Sequence, residues 1–432
     1  MPAPQDKPLT AWLDYPRAAG ANRGALRRRL ARIRGTGEED FRMPGKPSIS
    51  SPSGTAAGAP VRAGRGLADV VAASTALSDI DGRAGRLFYR GYDIHDLGGR
   101  ISFEECVHLL QRGALPDRHQ LEQLRAELVA GRGLGATAEA LLVEMGAKAA
   151  PMEALRTLVS ALSVDDPDKD ANDPTANARK AVRLVAQLPV LVARYHAVRS
   201  GTPAPDPDPG LGIAGNFLLQ ITGRSPDPVA VEAFDECLVL HADHTMNAST
   251  FACRVCAATL SDMHSAVVAG IGTLKGSLHG GANEAVMSIL ESLGGPDAVE
   301  SSVRGRLDRG EKLMGFGHRV YRTEDPRATH LRRLSQRLGE LAGDTTYYEM
   351  SMAMEKVVLD AKGLYPNVDY FAASVYHALG IPTDLFTPVF AISRMAGWTS
   401  HVIEQQLDNR LIRPDSEYIG ETDQKWVPIE ER

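Results

Sequence analysis

Three short segments, far apart in the chain, carry residues suited to enol chemistry. They are residues 276–284 (GSLHGGANE), 315–327 (GFGHRVYRTEDPR) and 365–369 (YPNVD). Together they supply two histidines flanked by glycines, an arginine and a carboxylate. A carboxylate can remove a proton next to a carbonyl group, and a positioned N–H donor can stabilise the resulting enol. This combination indicates an enzyme that forms a carbon–carbon bond from an acyl thioester.

Each of these residues also has a simpler interpretation. His279 and His318 both lie among glycines, which permit tight turns and close approach to a ligand but are common in purely structural turns as well. Asp369 precedes a helical segment, where an aspartate commonly caps the helix N-terminus. A carboxylate at a helix start can cap the helix and still act as a base, so both interpretations stay open.

Two further pairs raise the question of a metal or redox site. His241 and His244 have a spacing that places both on one face of a helix, but no third ligand typical of a zinc enzyme accompanies them. Cys253 and Cys256 lie in an apolar helical segment without a second cysteine pair, which is typical of small core residues. We therefore expect no metal.

The composition favours a globular enzyme of the cytoplasm. The 432 residues carry a formal net charge of −6, which gives no overall electrostatic case for nucleic-acid binding. Four cysteines are too few to cross-link a chain of this length, so a reducing compartment is expected. No uninterrupted apolar run is long enough for a membrane span, and the N-terminus lacks the apolar core of a secretory signal.

Residues 1–65 differ from the rest of the chain. They combine Pro, Gly and Ser with an arginine run at 25–34, and 44–64 have almost no large apolar residues. This composition predicts a mostly disordered basic extension. A solvated tail is favoured over nucleic-acid binding by the arginine run.

The remaining pattern is helical. Apolar residues recur at helical spacing over 101–115, 118–129, 136–145, 177–199 and 227–240, and 251–274 continues the pattern. Two β-prone runs, 70–77 and 86–90, flank an Asp-Gly turn at 79–82 and predict a small hairpin. The predicted fold class is all-α with a minor N-terminal β-hairpin.

The three segments resemble the signature elements of the citrate synthase family. Residues 89–94 (YRGYDI), 241–244 (HADH) and 393–394 match that family as well, in order, from about residue 66 to the C-terminus. The resemblance implies a two-domain helical fold: a large domain of residues 66–279 and 381–432, and a small domain of residues 280–380 inserted in it. It also implies condensation of acetyl-CoA with oxaloacetate and water to citrate and CoA, the first step of the tricarboxylic acid cycle.

The family's roles are carried over residue by residue. Asp369 resembles the base that deprotonates the acetyl-CoA methyl group, His279 the group that stabilises the enol, and His318 the group that polarises and protonates the oxaloacetate ketone. His241, Arg327 and Arg394 resemble ligands of oxaloacetate, and Arg413 resembles an arginine delivered by a partner subunit. The implied CoA contacts are Leu313, Met314, Gly315, Phe316, Gly317, Arg322 and Asn367. Acetyl-CoA is a substrate, so no cofactor is expected.

The spacing of two arginines adds an inference about assembly. Arg394 and Arg413 are 19 positions apart, which is about 28 Å on a continuous helix. Both could then reach one four-carbon acid only if the chain folds back sharply or a second subunit contributes Arg413. We expect a homodimer with composite sites that closes over its substrates.

Two alternative functions stay open. A 2-methylcitrate synthase would use propionyl-CoA with the same catalytic residues, and one extra methylene is worth only about 1–3 kcal/mol in a pocket. A non-catalytic protein that binds CoA or a dicarboxylate on the same fold is the other. That alternative predicts a missing catalytic residue, whereas His279, His318 and Asp369 are all present.

Overall fold

A computed structural model describes residues 65–67 and 70–432 of the chain. Residues Thr75–Arg432 form one compact unit, and the few described residues before it belong to a separate one. The basic extension predicted for residues 1–65 lies, apart from its last residue, outside the described residues.

The described residues form sixteen α-helices and a small three-stranded sheet, which confirms the all-α fold class. The helices, numbered α1 to α16 in chain order, are Ile94–Leu97, Phe103–Arg112, Arg118–Ala130, Ala136–Met145, Pro151–Asp165, Pro174–Ser200, Ile213–Thr222, Pro228–His241, Ala248–Ala258, Met263–Leu274, Ala282–Ser292, Val299–Asp308, Pro326–Ala342, Thr346–Lys362, Val368–Ala378 and Phe386–Leu407.

Local capping signals set many helix boundaries. Ser102 and Glu105 form a capping box at the start of α2, and Asp117 and Gln120 form another at the start of α3. The five helices predicted between residues 101 and 240 are confirmed, with boundaries shifted by up to three residues. The pattern at 251–274 is two helices rather than one, because the chain turns at Leu260 with a positive φ of 66° and restarts at the N-cap Asp262.

The sheet differs from the prediction in its first strand. The strands are β1 (Ser78–Asp81), β2 (Arg86–Tyr89) and β3 (Tyr92–Asp93), paired antiparallel in the order β1-β2-β3. The predicted strand at 70–77 is therefore wrong, and most of the predicted turn at 79–82 belongs to β1. The Asp81 carboxylate accepts the N–H groups of Arg83 and Ala84. These hydrogen bonds end the strand at Asp81 and place the turn after it.

Helix α16 is the central element of the helical core. Almost all of its residues are buried, including Trp398. It packs against α6, α9 and α10 and also contacts α2 and α8. A large apolar side chain contributes about 1.5–3 kcal/mol when it is fully buried, so this helix anchors the fold.

The predicted small domain, residues 280–380, corresponds to helices α11 to α15. Within it, α13 packs on α15, α11 on α15 and α12 on α14. The division of Thr75–Arg432 into a large and a small domain stays a prediction. Within the described ranges, no helix is long and apolar enough to cross a membrane.

A pair of helical glycines offers a test of how α16 packs. A Cβ at Gly397 would overlap the carbonyl oxygen of Ala242 and contact the Asp243 side chain, whereas a Cβ at Gly305 in α12 would meet only the flexible tip of Arg309 at 3.4 Å. We expect Gly397→Ala to destabilise the fold by about 1–3 kcal/mol through overpacking. Gly305→Ala should stabilise it by about 0.5–1 kcal/mol through helix propensity. Thermal unfolding of the two variants checks this; shifts of the same sign would contradict the packing described.

Candidate active site

Three turns, two helix N-termini and one buried helix deliver polar side chains to a single region. His244 follows the end of α8, His279 precedes α11, and His318 lies in the loop before α13. Arg327 and Asp369 are each the second residue of a helix, α13 and α15, and Arg394 lies inside α16. A side chain in a loop or at a helix N-terminus has no helical residues before it to cover it. Such positions therefore suit the presentation of reactive groups.

The imidazole of His279 is oriented by the helical core. Its Nε2 lies 2.8 Å from Ser249 Oγ, which also accepts the indole N–H of Trp398 at 3.1 Å. The one proton of the serine hydroxyl has two acceptors in reach, His279 Nε2 and Asn247 Oδ1, which also lies at 2.8 Å. When that proton points to Nε2, the proton of a neutral His279 lies on Nδ1. The adjacent Gly280 is required for packing, because a Cβ there would overlap the carbonyl oxygen of Leu274.

The imidazole of His318 is fixed by backbone groups of its own loop. Its Nδ1 accepts the N–H groups of Val320 at 3.0 Å and Tyr321 at 3.1 Å. A ring nitrogen that accepts carries no proton, so the proton of neutral His318 lies on Nε2. Gly315 and Gly317 both adopt positive φ, 85° and 74°, which favours glycine at these positions.

The second and third sequence segments are joined by hydrogen bonds. Gly317 N donates to Tyr365 O at 2.8 Å, Asn367 N donates to Gly315 O at 2.9 Å, and the Asn367 side chain donates to Gly317 O at 3.0 Å. The loop that carries His318 is thereby tied to the residues just before Asp369.

Asp369 presents an unbonded carboxylate oxygen. Its Oδ1 is buried and has no hydrogen-bond partner within the part of the chain that the structure describes. Burial raises the pKa of Asp369 from 3.8 to about 7, although Arg327 and Arg394 act in the opposite direction. The interpretation of Asp369 as the helix cap is wrong: Asn367 is the N-cap of α15, and its side chain accepts the Asp369 N–H at 3.0 Å.

Two buried arginines lie close to this carboxylate. Arg327 makes a two-pronged contact with buried Asp325, at 2.9 Å from Nε to Oδ1 and 2.7 Å from the terminal nitrogen to Oδ2. Burial alone would lower the pKa of Arg327, but the Asp325 carboxylate outweighs it and the pKa is raised. Arg394 donates its Nε to the His241 carbonyl oxygen at 2.8 Å and stacks over Phe390 at 4.7 Å. Burial lowers the pKa of Arg394 to about 10.

His244 joins the cluster, although its sequence pattern indicated only a possible metal ligand and a match to the family at residues 241–244. Its ring lies 5.2 Å from that of His318, and its Nε2 is 3.3 Å from the Tyr321 hydroxyl. By contrast, His241 is fully buried and donates Nδ1–H to the Cys237 carbonyl oxygen at 2.7 Å in its own helix. Its Nε2 has no partner. In this region His244 is therefore the imidazole that lies against His318.

All four imidazoles are held neutral at pH 7. Burial lowers the pKa of His279 and of His318 to about 4, with Arg394 adding to the effect at His279 and Arg327 at His318. Burial lowers the pKa of His241 to about 3 and that of His244 well below its usual range. Neutral imidazoles can donate hydrogen bonds without adding cations to a dry site.

The remaining candidates lie at the edge of this cluster or away from it. Leu313 and Phe316 are buried, Met314 is half-buried and Arg322 is exposed. Arg413 follows the end of α16 at Leu407, and its side chain is 75% exposed. Among the described residues it pairs only with Asp415, at 2.9 Å, so this chain does not bring Arg413 to the cluster.

Nowhere in residues 65–67 and 70–432 do three or more His, Cys, Asp or Glu side chains form a group that could hold a metal ion.

The buried charge of Asp369 gives a test of stability against pH. Because its pKa is raised to about 7 in the folded protein, the fold binds this proton more tightly than the unfolded chain does. That contribution is full below pH 3.8 and is lost as the pH rises through 7. Asp369→Asn should therefore melt above the wild type at pH 8, and the difference should shrink at pH 5. The exposed Asp360→Asn is the control and should show no pH-dependent difference; an Asp369→Asn difference that is equal at both pH values would contradict the burial described.

Comparison with known proteins assigns this arrangement to a family. The family model for the C-terminal domain of citrate synthase matches residues 66–415. The chain is 48% identical to citrate synthase 2 of Bacillus subtilis over 372 residues, which is 85% of this chain and 99% of that protein. It is also 40% identical to 2-methylcitrate synthase of Shewanella oneidensis over 374 residues, 85% of this chain and 98% of the other.

A solved structure agrees with these sequence matches. A ternary complex of citrate synthase from Thermoplasma acidophilum with carboxymethyl coenzyme A and oxaloacetate has a TM-score of 0.80 at 32% sequence identity. The match covers 85% of this chain and 99% of that one. The recognition made on sequence motifs is confirmed: the chain belongs to the citrate synthase family of acyltransferases.

Proposed function

We propose that the protein condenses acetyl-CoA with oxaloacetate and water to give citrate and CoA. The observation that carries this proposal is the unpaired Asp369 carboxylate, whose pKa is raised to about 7 beside two buried arginines and two neutral, oriented imidazoles. A base with that pKa is about half ionised at neutral pH and takes up a proton readily.

The proton-transfer step sets the demand on the site. The methyl group of an acyl thioester is a carbon acid of pKa about 20, so a carboxylate of pKa about 4 faces a gap of roughly 22 kcal/mol. At a pKa of about 7 the gap falls to roughly 18 kcal/mol, which still requires stabilisation of the enolate. The Nδ1–H of His279 supplies that stabilisation by donating to the thioester oxygen. One such donor is typically worth about 100- to 1000-fold in rate.

Carbon–carbon bond formation then uses the second imidazole. The enolate carbon attacks the ketone carbon of oxaloacetate and the thioester carbonyl re-forms, while Nε2–H of His318 polarises the ketone oxygen and protonates it. The proton that Asp369 took from the methyl group is then returned through solvent to His318, which restores both groups. Water hydrolyses the resulting thioester and releases citrate and CoA. The carboxylates of oxaloacetate pair with Arg394, with the remaining nitrogen of Arg327, and with His244 rather than the fully buried His241.

The balance of charge supports a second subunit. Asp325 already forms a salt bridge with Arg327, so Arg394 is the one buried arginine described above that makes no salt bridge within the described part of the chain, for a substrate with two carboxylates. Arg413 is exposed and its own chain does not bring it to the cluster. We therefore propose a homodimer in which each copy completes the other's site with Arg413. Exposed Leu411, Tyr418, Ile419 and Trp426 in the same C-terminal segment offer apolar surface for that contact.

We also propose that the reaction takes place in the cytoplasm without a cofactor. All four cysteines are unpaired thiols, which suits a reducing compartment. Acetyl-CoA is a substrate, and the proton transfers described need only side chains of the chain itself.

A 2-methylcitrate synthase is the second candidate, because the Shewanella oneidensis relative bears that name. Steady-state kinetics with oxaloacetate and either acetyl-CoA or propionyl-CoA decides between them. We expect kcat/KM for acetyl-CoA to be higher by about 10- to 200-fold, the value of one methylene in a pocket. A higher kcat/KM for propionyl-CoA would overturn the preference but leave the mechanism intact.

The base is tested by removing its carboxylate. Asp369→Ala should lower kcat by at least about 100-fold, since proton removal then lacks its general base. Release of the CoA thiol measures the rate, and Asp360→Asn provides an exposed control that should match the wild type. Turnover within about tenfold of the wild type in Asp369→Ala would refute the mechanism.

The shared site is tested by mixing two inactive variants. Arg413→Ala and Asp369→Asn, dissociated and reassociated together, should regain about a quarter of wild-type activity, because half of the dimers are mixed and each holds one complete site. Each variant reassociated alone is the control. Failure to regain activity in a confirmed mixed dimer would show that Arg413 does not act across subunits.

A further inference from the structure

The β1–β2 hairpin contacts two of the turns that carry imidazoles, one at each of its ends. Ser78 and Tyr89 face each other in register at the open end of the hairpin, and Gly82 lies in the turn at the closed end. Four-residue strands separate these ends by about 10 Å. None of the residues assigned to catalysis lies in the hairpin. Its contacts go instead to the residues next to His244 and to those that follow His318.

The open end holds the turn that carries His244. The Ser78 hydroxyl donates to the Asp243 carboxylate and accepts the Thr245 N–H at 3.0 Å. The Tyr89 hydroxyl donates to the Asp243 carbonyl oxygen at 2.9 Å and accepts the Asp243 N–H at 3.1 Å. His244 is therefore held on both sides by side chains of the hairpin.

This turn needs such support because its backbone is strained. Thr245 has a φ of 50°, in the left-handed region that a β-branched residue rarely adopts. A strained residue persists only where the surrounding contacts over-determine its conformation. Ser78 and the buried Asp243, which also contacts His401 at 3.2 Å, supply those contacts.

The closed end holds the loop that carries His318. The Gly82 carbonyl oxygen accepts the Arg322 N–H at 2.8 Å. A Cβ at Gly82 would lie 2.9 Å from the carbonyl carbon of Val320 and closer still to its oxygen. Since His318 Nδ1 accepts the N–H groups of Val320 and Tyr321, the hairpin tip touches the same backbone that orients the ring.

The two turns meet in the site. The rings of His244 and His318 are 5.2 Å apart, and Tyr321 bridges the two loops through its hydroxyl, 3.3 Å from His244 Nε2. The hairpin, the His244 turn and the His318 loop thus form a closed ring of contacts.

We infer that the β1–β2 hairpin is a positioning element that fixes the separation of His244 and His318, with Gly82 and Ser78 as its two positioning residues. The inference rests on the proposed function, in which both imidazoles contact oxaloacetate. A misplacement of about 1 Å in a reacting group can cost about 100-fold in rate, so a rigid spacer between the two turns has a direct kinetic effect.

Gly82→Ala tests the closed end. Its φ lies outside the left-handed region, so the added methyl acts by displacing the Val320 backbone rather than by straining its own. We expect KM for oxaloacetate to rise about tenfold and kcat to fall about tenfold, while KM for acetyl-CoA, whose expected contact Arg322 lies beside Gly82, rises by a smaller factor. Arg83→Ala, in the same turn but exposed and with its backbone contact to Asp81 kept, is the matched control and should resemble the wild type. Wild-type kinetics in Gly82→Ala, or an equal rise in both KM values, would overturn the inference.

Ser78→Ala tests the open end and its coupling to the tip. We expect it to raise KM for oxaloacetate by a similar factor, and the double variant with Gly82→Ala to be less impaired than the product of the two single effects, because both loosen one geometry. Multiplicative effects would show two independent contacts and contradict a single spacer. The outcome is separable from the catalytic proposal: if Asp369→Ala is inactive and Gly82→Ala is normal, the spacer fails and the mechanism stands.

Discussion

The withdrawal of ionisable groups from water is the constraint on which the rest of the site depends. Burial is the largest cause of the raised pKa of Asp369 and of the lowered pKa values of His279 and His318. The exclusion of water makes the Asp369 carboxylate more basic and keeps the imidazoles of His279 and His318 neutral. One physical condition therefore serves both proton removal and hydrogen-bond donation to the substrates. Arg327 and, to a smaller extent, Arg394 limit the rise of the Asp369 pKa by favouring the ionised carboxylate.

The scaffold meets this constraint with close backbone contacts rather than with bulky side chains. Gly280 and Gly397 sit where a methyl group would overlap a carbonyl oxygen, so α10, α11 and α16 can approach the site closely. Asp325 neutralises Arg327 inside the protein, which avoids an isolated buried cation. The hairpin adds further contacts, one set at each of its ends, to the turns that carry His244 and His318.

The sequence predicted which residues meet in one region better than it predicted the contacts that hold them there. Helical spacing and glycine-flanked histidines were visible because they are local patterns. The position of His244 against His318 was not visible, since spacing places His244 beside His241 and only the end of α8 turns the two rings apart. The first strand was misplaced because its residues, Ser-Asp-Ile-Asp, have low β-propensity and pair through long-range contacts. Asn367 replaced Asp369 as the helix cap, a distinction of two residues that propensity does not resolve.

The central claim, that burial raises the pKa of the base, can be measured directly. Carbon-13 NMR of the substrate-free protein with labelled aspartate carboxyls, assigned by the signal lost in Asp369→Asn, gives the titration of this one group. The account predicts a midpoint at about pH 7. A midpoint near pH 4, the ordinary value of an exposed aspartate, would contradict it.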